Sequence, residues 1–520
     1  MNLSPTARTA VALATTAVMA YASLTGIGLV DKESTSAVPP LEAGRAYVGA
    51  AKSSMEPRPE DYNGTWVRDH AACARMDENV LTAVEGDPQG LAEHLADTGS
   101  PWPENPNCLY MGGFGLGPAN PITAWDQEYG LWIRSVAIGD GADTLVLTTI
   151  DGEGYFWDYA SKCDDCGAKQ LSDDLGAELG IDPSGIVIAA THAHSSPDFI
   201  GGWGFVPDWY MEQVSDTIKA TVRQAVRRME PAVLEVGEQQ AREHNSERRD
   251  TYRSAEEQQL AWLRAYVPGQ TKGKPAPART IATIGAYAAH PTSKGTNDGV
   301  AHADWPGVFE KGLEDRFGGV GALFMTGLGN MSGSGGTTMG ARLAALVPET
   351  GSGTPLVSTD VRTARRTWTQ PATNVPLNSL GNAGFFDRQF NPTPSTIRTG
   401  ENPDTAPCVS AAPSSVDVAA GAARIGDQFA LTTAPGEIFS NFSNTVKEKS
   451  GALVTMPLGQ ANDALGYMPQ DFEMSPVGQQ GLGFVVGGYL IVNYEDSYAI
   501  DHCFGDAALE ASISMLDELR

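Results

Sequence analysis

Four side chains of types that hold a divalent cation stand where a chain can aim them together. His192 and His194 are two apart at the end of the apolar run Ile186–Thr191. In an extended chain successive side chains alternate faces, so the pair points the same way. His290 closes a second β-prone run and is followed by Pro291-Thr292-Ser293. Glu437 comes after a third such run and the turn Ala434-Pro435-Gly436, where a helix is expected to start. Three imidazoles and a carboxylate match the three or four N/O ligands of zinc hydrolases, which leave a coordination position for water and lower its pKa toward neutrality. Singly, each has a plainer role: histidine pairs are common at strand ends, and a first-turn glutamate favours the helix dipole. Ser332 lies in the glycine-rich turn Gly327–Gly336, where small neighbours let backbone N–H groups approach a reacting oxygen. It is not a Gly-x-Ser-x-Gly elbow, because Asn330 stands two before it.

The elements that must carry these residues alternate. Strands are expected at Leu131–Ile138, Thr144–Ile150, Ile186–Thr191, Val233–Val236, Thr280–Ala289, Val320–Thr326, Phe429–Thr433 and Ala452–Pro457. Helices are expected near Leu171–Leu179, Asp208–Met229, Trp305–Phe317, from Glu437 to about Lys449, and at Asp506–Leu519. That alternation gives an α/β fold of mixed β-sheets flanked by helices, loop-rich, in a single large catalytic domain over 45–520. No internal repeat is visible in the sequence. Residues 349–425, rich in Pro, Thr, Ser, Asn and Gly, read as a long surface excursion. Met111-Gly112-Gly113-Phe114 belongs to a glycine-rich run read as a tight loop rather than a phosphate cradle, since no Lys-Ser/Thr helix start follows. Arg242, Arg248, Arg249 and Arg253 read as a solvated face.

The chain has 520 residues, 41% hydrophobic, with 58 glycines and 33 prolines, a composition of turns and long loops rather than helical bundles. Its formal net charge of −28 argues against nucleic acid as a partner and against lasting adhesion to anionic membranes. Residues 1–30 read as an export signal, with a retained anchor as the alternative, and 31–44 as a linker. Six cysteines fit disulfides in a secreted or extracytoplasmic protein. Cys163 and Cys166 are expected to close a small loop, and the pairing of the other four is open.

Taken in order, Thr191-His192-Ala193-His194-Ser195, Ala289-His290-Pro291-Thr292-Ser293 with Ala303-Asp304, Gly329-Asn330-Met331-Ser332, Ala434-Pro435-Gly436-Glu437 and Ala461–Tyr467 resemble the neutral/alkaline non-lysosomal ceramidase family. The resemblance spans about residues 45–505. It implies a zinc-dependent amidase that splits the N-acyl bond of ceramide, with Zn2+ on His192, His194, His290 and Glu437. A family tyrosine also reaches the metal: Tyr467 lies in the right segment, while the nearer position is Ala464. The ligand set is therefore three histidines and a glutamate, with or without Tyr467. The family's catalytic serine falls on Ser332, although the family's Gly-Asp-x-Ser-Pro is here Gly329-Asn330-Met331-Ser332-Gly333. Asp304 is expected to orient His290 or another ligand, and Ser332 and Tyr467 to stabilise the oxyanion made by attack of an activated water. The expected partner is a small-molecule or lipid substrate, met in transient contact with a membrane surface. A secreted zinc hydrolase of another amide or ester, and a non-catalytic binding protein with a degenerate site, are the competing expectations.

Overall fold

The computed structural model describes residues 45–58, 73, 108–114, 120–159, 163, 165–203, 206–249, 255–271, 274–382, 386–400, 407–480 and 494–520. The segments read as signal and linker lie outside them.

Three sheets share one pattern. In the first, β1 (Tyr47–Ser54), β2 (Trp132–Gly139) and β3 (Thr144–Ile150) form an antiparallel meander, and β4 (Ile186–Ala190) lies parallel to β3 after the helix α1 (Ala168–Leu179). A further helix, α2 (Asp208–Arg227), covers the same face. In the second, β5 (Val233–Gln240), β6 (Gln259–Thr271) and β7 (Lys274–Tyr287) are antiparallel. After α3 (Asp304–Phe317), β8 (Val320–Met325) returns parallel to β7, and α4 (Met339–Leu346) follows. In the third, β9 (Val361–Pro371), β10 (Ser415–Ile425) and β11 (Phe429–Thr433) are antiparallel. The chain then passes through α5 (Ser440–Ser450) to β12 (Val454–Leu458), parallel to β11, and ends in α6 (Phe504–Glu518). Each unit is thus a three-strand meander closed by a strand–helix–strand crossover. The sequence shows no repeat because the likeness is one of strand order and direction, which unrelated side chains can satisfy.

The period-two alternation of strands explains the layering. Val146, Ile150, Ile186 and Ile188 pack against α1 and α2, while Leu145, Leu147, Val187 and Ala189 point into a core shared by all three sheets. Leu234, Val236, Leu263 and Ile284 enter that shared core from the second sheet, and Ile425, Leu431 and Met456 from the third. The outer faces carry α3 with α4 and α5 with α6 respectively. Strands buried on both faces read as unbroken apolar runs, which is why β3 and β4 were legible.

The expected surface excursion over 349–425 is wrong toward both its ends, since β9 and β10 build the third sheet. β9 (Val-Arg-Thr-Ala-Arg-Arg-Thr-Trp-Thr-Gln-Pro) has no apolar alternation. Its arginines are held by ion pairs instead, such as Arg366 to Glu518 at 2.5 Å on α6. Glu437 does not start a helix either. It lies in the two-residue strand Glu437–Ile438, and α5 begins at Ser440. Disulfides join Cys163 to Cys166, as expected, and also Cys73 to Cys108 and Cys408 to Cys503. Among the described residues, no helix is long and apolar enough to cross a membrane.

Candidate metal centre

The ends of the parallel strands meet. Ala190 N donates to Gln460 O at 2.9 Å, and Gly459 N to Met325 O at 2.9 Å, so the loops after β4, β8 and β12 are tied together. His192, two residues past β4, has φ +60°, a left-handed conformation uncommon for a side chain larger than glycine. That turn breaks the strand, so the two histidines do not project from a regular extended chain. The expected pairing of their side chains survives through a strained backbone, a feature typical of functional sites.

Five donor atoms converge. His192 Nε2 and His194 Nε2 are 3.3 Å apart, and His290 Nε2 lies 2.9 Å from Glu437 Oε2 and 3.3 Å from the Tyr467 hydroxyl. Glu437 Oε2 is also 3.6 Å from His192 Nε2. Glu437 and Tyr467 are direct register partners in a parallel pair of two-residue strands, which delivers both side chains to one place. The three histidines lie close enough to hold one ion. Separations of this size are those of donors about 2.0–2.1 Å from a shared cation in tetrahedral-type coordination.

The far side of each ring fixes which nitrogen carries the proton. Nδ1 of His192 donates to the Glu153 carbonyl at 2.6 Å, Nδ1 of His194 faces the Gly113 carbonyl, and Nδ1 of His290 lies 3.2 Å from the Met331 carbonyl. A carbonyl only accepts, so each Nδ1 bears hydrogen and each Nε2 lone pair turns to the common point. Two such lone pairs 3.3 Å apart cannot bond each other; a shared cation satisfies both. Burial holds the imidazoles neutral: His192 and His194 are pushed down to about 3, and His290 well below the usual histidine range. The residues present therefore fit a divalent cation, held by three imidazoles and Glu437, with Tyr467 within reach.

Around this core stand groups the sequence did not single out for the site. Glu153 is buried, its Oε1 3.1 Å from His194 Nδ1 and its Oε2 accepting from Gly113 N at 3.1 Å. Burial, with Asp198 and Glu437 nearby, raises its carboxyl well above the usual range. The glycine loop presses against it: a Cβ at Gly112 would come within 1.8 Å of Glu153 Oε2, so only glycine fits that approach. Phe114 stacks on His194 with ring centroids 4.7 Å apart. Arg248 does not belong to a solvated face. It donates to the Tyr467 hydroxyl at 3.0 Å, to the Gly329 carbonyl and to Glu495, while Arg249 is buried against Asp496. The signal lay in two adjacent arginines within an acidic chain, but their partners come from 329–496 and no local pattern announces them.

Ser332 lies in the short strand Met331–Gly333, bridged in parallel to His290, and is half-buried. It is not among the residues that line the cavity at the cluster. Asn330, where the resembling family has aspartate, uses its amide structurally, accepting from Ser440 N and donating to the Ala255 carbonyl. Asp304 opens α3 with φ +51°, and its carboxylate accepts from Lys294 N, Trp305 N and Ser293. It therefore holds the loop that follows His290, whereas the His290 ring itself is oriented by Met331. Ala464 lies on the cavity wall and offers no donor, and Tyr467 supplies the hydroxyl.

A cavity of about 100 Å³ has His192, His194, Glu153, Glu437 and Tyr467 on its wall. The rest of its lining is largely apolar, including Phe156, Leu377, Phe386, Phe390, Leu465 and Ile500.

No protein-family model matches this chain, and no curated protein does. Among solved structures it is similar to the crystal structure of neutral ceramidase from Pseudomonas aeruginosa, at 14% identity and a TM-score of 0.58, over 92% of this chain and 74% of that one. It is similar also to a structure of ceramidase complexed with C2, at 15% identity and a TM-score of 0.56, over 92% of this chain and 75% of that one. At such identities the likeness establishes the fold: along nine-tenths of its length this chain is built on the architecture of neutral ceramidase structures, from a widely divergent sequence.

Proposed function

We propose that the chain is a Zn2+-dependent hydrolase that cleaves the N-acyl amide bond of ceramide or a related N-acyl lipid, acting outside the cytoplasm. One observation carries this reading: three neutral imidazoles, Glu437 and Tyr467 converge at an apolar cavity whose wall includes His192, His194, Glu437 and Tyr467. An ion-binding core beside an apolar lining suits a substrate with a polar scissile bond and a hydrocarbon chain. The fold neighbours, which are ceramidases, favour ceramide over other amides. Three disulfides accord with an oxidising compartment.

A bound zinc ion would supply Lewis acidity toward the carbonyl and a more acidic water. The chain's own residues do the rest. Phe386, Phe390, Leu465 and Ile500 take up the acyl chain and exclude water. Burial keeps the Tyr467 phenol protonated far above neutrality, so it acts as a hydrogen-bond donor to the developing oxyanion. Arg248, fixed by Glu495, holds that hydroxyl in place and adds positive charge. Ser332 adjoins His290 through the backbone register and does not line the cavity, so its part is to help place the strand that carries His290. Substrate is taken from a membrane surface in passing contact.

Purified protein with measured metal content is offered fluorescent ceramide, short N-acyl amino acids and an ester of the same chain length. Chelator-sensitive release of fatty acid from ceramide is expected, with loss of both metal and hydrolysis in His192→Ala. Retention of both in that variant overturns the proposal. Cleavage of the ester or the short amides alone would assign the metal hydrolase another substrate.

A further inference from the structure

The three units each send one acidic or imidazole side chain inward from the loop after the third strand. His290 stands three residues past β7, Glu437 four past β11, and Glu153 three past β3. Two of these reach the convergence point. Glu153 instead stands behind it and touches both histidines of the first unit: its carbonyl accepts from His192 Nδ1 and its carboxylate Oε1 lies 3.1 Å from His194 Nδ1. Its other oxygen takes the Gly113 N–H, and Gly113 O is the second acceptor facing His194 Nδ1.

No lysine or arginine among the described residues forms an ion pair with Glu153, although the carboxylate is buried. A buried carboxyl with no lysine or arginine beside it has its two oxygens placed for hydrogen bonds, and what they face are the ring N–H of His194 and the backbone N–H of Gly113. The shape of the loop agrees, since Gly112 leaves room for the carboxylate that a methyl group would fill.

We propose that Glu153 is a positioning residue for the metal: its carbonyl and a carboxyl oxygen hold the Nδ1 side of His192 and His194, so that both Nε2 atoms face the convergence point. This rests on the reading of the cluster as a cation site. Carboxylates that back a ligating histidine in this way raise its basicity, and their loss lowers metal affinity by about 10–100-fold.

Glu153→Gln keeps the volume but replaces one of the two accepting oxygens by an NH2 donor, so the Gly113 N–H and the His194 Nδ1–H can no longer both be accepted. Zinc affinity is measured by competition with a chelating dye, and the ligand field by the visible absorption of the Co2+-loaded protein. The expected result is a loss of zinc affinity of about 10–100-fold and shifted Co2+ bands in a variant that still folds. Affinity within twofold of wild type, with unchanged Co2+ bands, overturns the proposal and leaves the metal hydrolase standing. Wild-type protein that binds neither ion overturns both. Should Glu153→Gln fail to fold, Gly112→Ala displaces the carboxylate from the opposite side, and wild-type affinity in that variant also overturns the proposal.

Discussion

Replacing His290 by alanine tests the metal centre where its geometry is tightest. The ring stands 2.9 Å from Glu437 Oε2 and 3.3 Å from the Tyr467 hydroxyl, and is buried. Two effects follow, and they separate experimentally. In metal-free protein the variant loses the ring hydrogen bond to the Met331 carbonyl, which keeps the residue-290 backbone N–H as its donor, so the cost of that bond is about 0.5–1.5 kcal/mol. In metal-loaded protein it loses a donor. Wild type held at zinc a thousandfold above its dissociation constant gains about 4.1 kcal/mol from binding. If the variant binds 100-fold more weakly, a conservative figure for a direct ligand when groups behind ligands cost 10–100-fold, the gain at the same zinc falls to about 1.4 kcal/mol. The difference of about 2.7 kcal/mol appears as a zinc-induced rise in Tm about 2–3 °C smaller than that of wild type. Thermal melts of chelator-stripped protein with and without zinc, together with metal analysis after dialysis, measure both terms. A variant whose zinc-induced rise equals that of wild type would refute the assignment of His290 as a ligand, whatever its activity.

Further outcomes are expected. Arg248→Met keeps the stem of the side chain but removes the guanidinium that holds Tyr467 and Glu495, so kcat should fall by about 10-fold or more while KM moves little; an unchanged kcat in steady-state assays would exclude a role through Tyr467. His192 titrates near 3 in the folded chain and at about 6.5 when unfolded, a depressed value, so its contribution to stability is complete above pH 6.5 and is lost as pH falls toward 3. Buried carboxyls such as Asp198, raised to about 7, act in the opposite sense, so metal-free wild type is compared with His192→Asn, which shares them. Relative to that variant, wild type should lose up to about 1.4 kcal/mol per pH unit below 6.5 and nothing above; a difference in Tm that stays flat down to pH 4 would contradict the assignment.

What the sequence made legible follows the physics of each element. His192, His194 and His290 stood out because polar side chains end apolar runs, and those runs, buried on both faces, announce themselves without context. Glu437 was found by type and position, yet its local structure was misread. The turn Pro435-Gly436 resembles a helix entrance, and its actual pairing with Tyr467 depends on a segment thirty residues on. β9 was invisible because its arginines and threonines are satisfied by partners on other elements. Glu153 was missed for the same reason, and Arg248, near the position of the resembling family's substrate-site arginine, reads as part of a solvated face. Their roles come from Gly113, His194, Glu495 and Tyr467, which adjoin them only after the sheets have docked.

That dependence reaches into how the protein matures. The donor atoms come from residues 192–194, 290, 437 and 467, one set from each of the three units, so long-range contacts complete the cluster and no local segment can assemble it. Contacts of such large sequence separation form late, after the entropy of closing long loops has been overcome. A chain with only two docked units lacks at least one of the three donor sets, whichever pair has docked, and binds an ion weakly. Tight ion capture would therefore report that all three units have come together, and the proposed hydrolysis would be withheld from every partly folded form on the way.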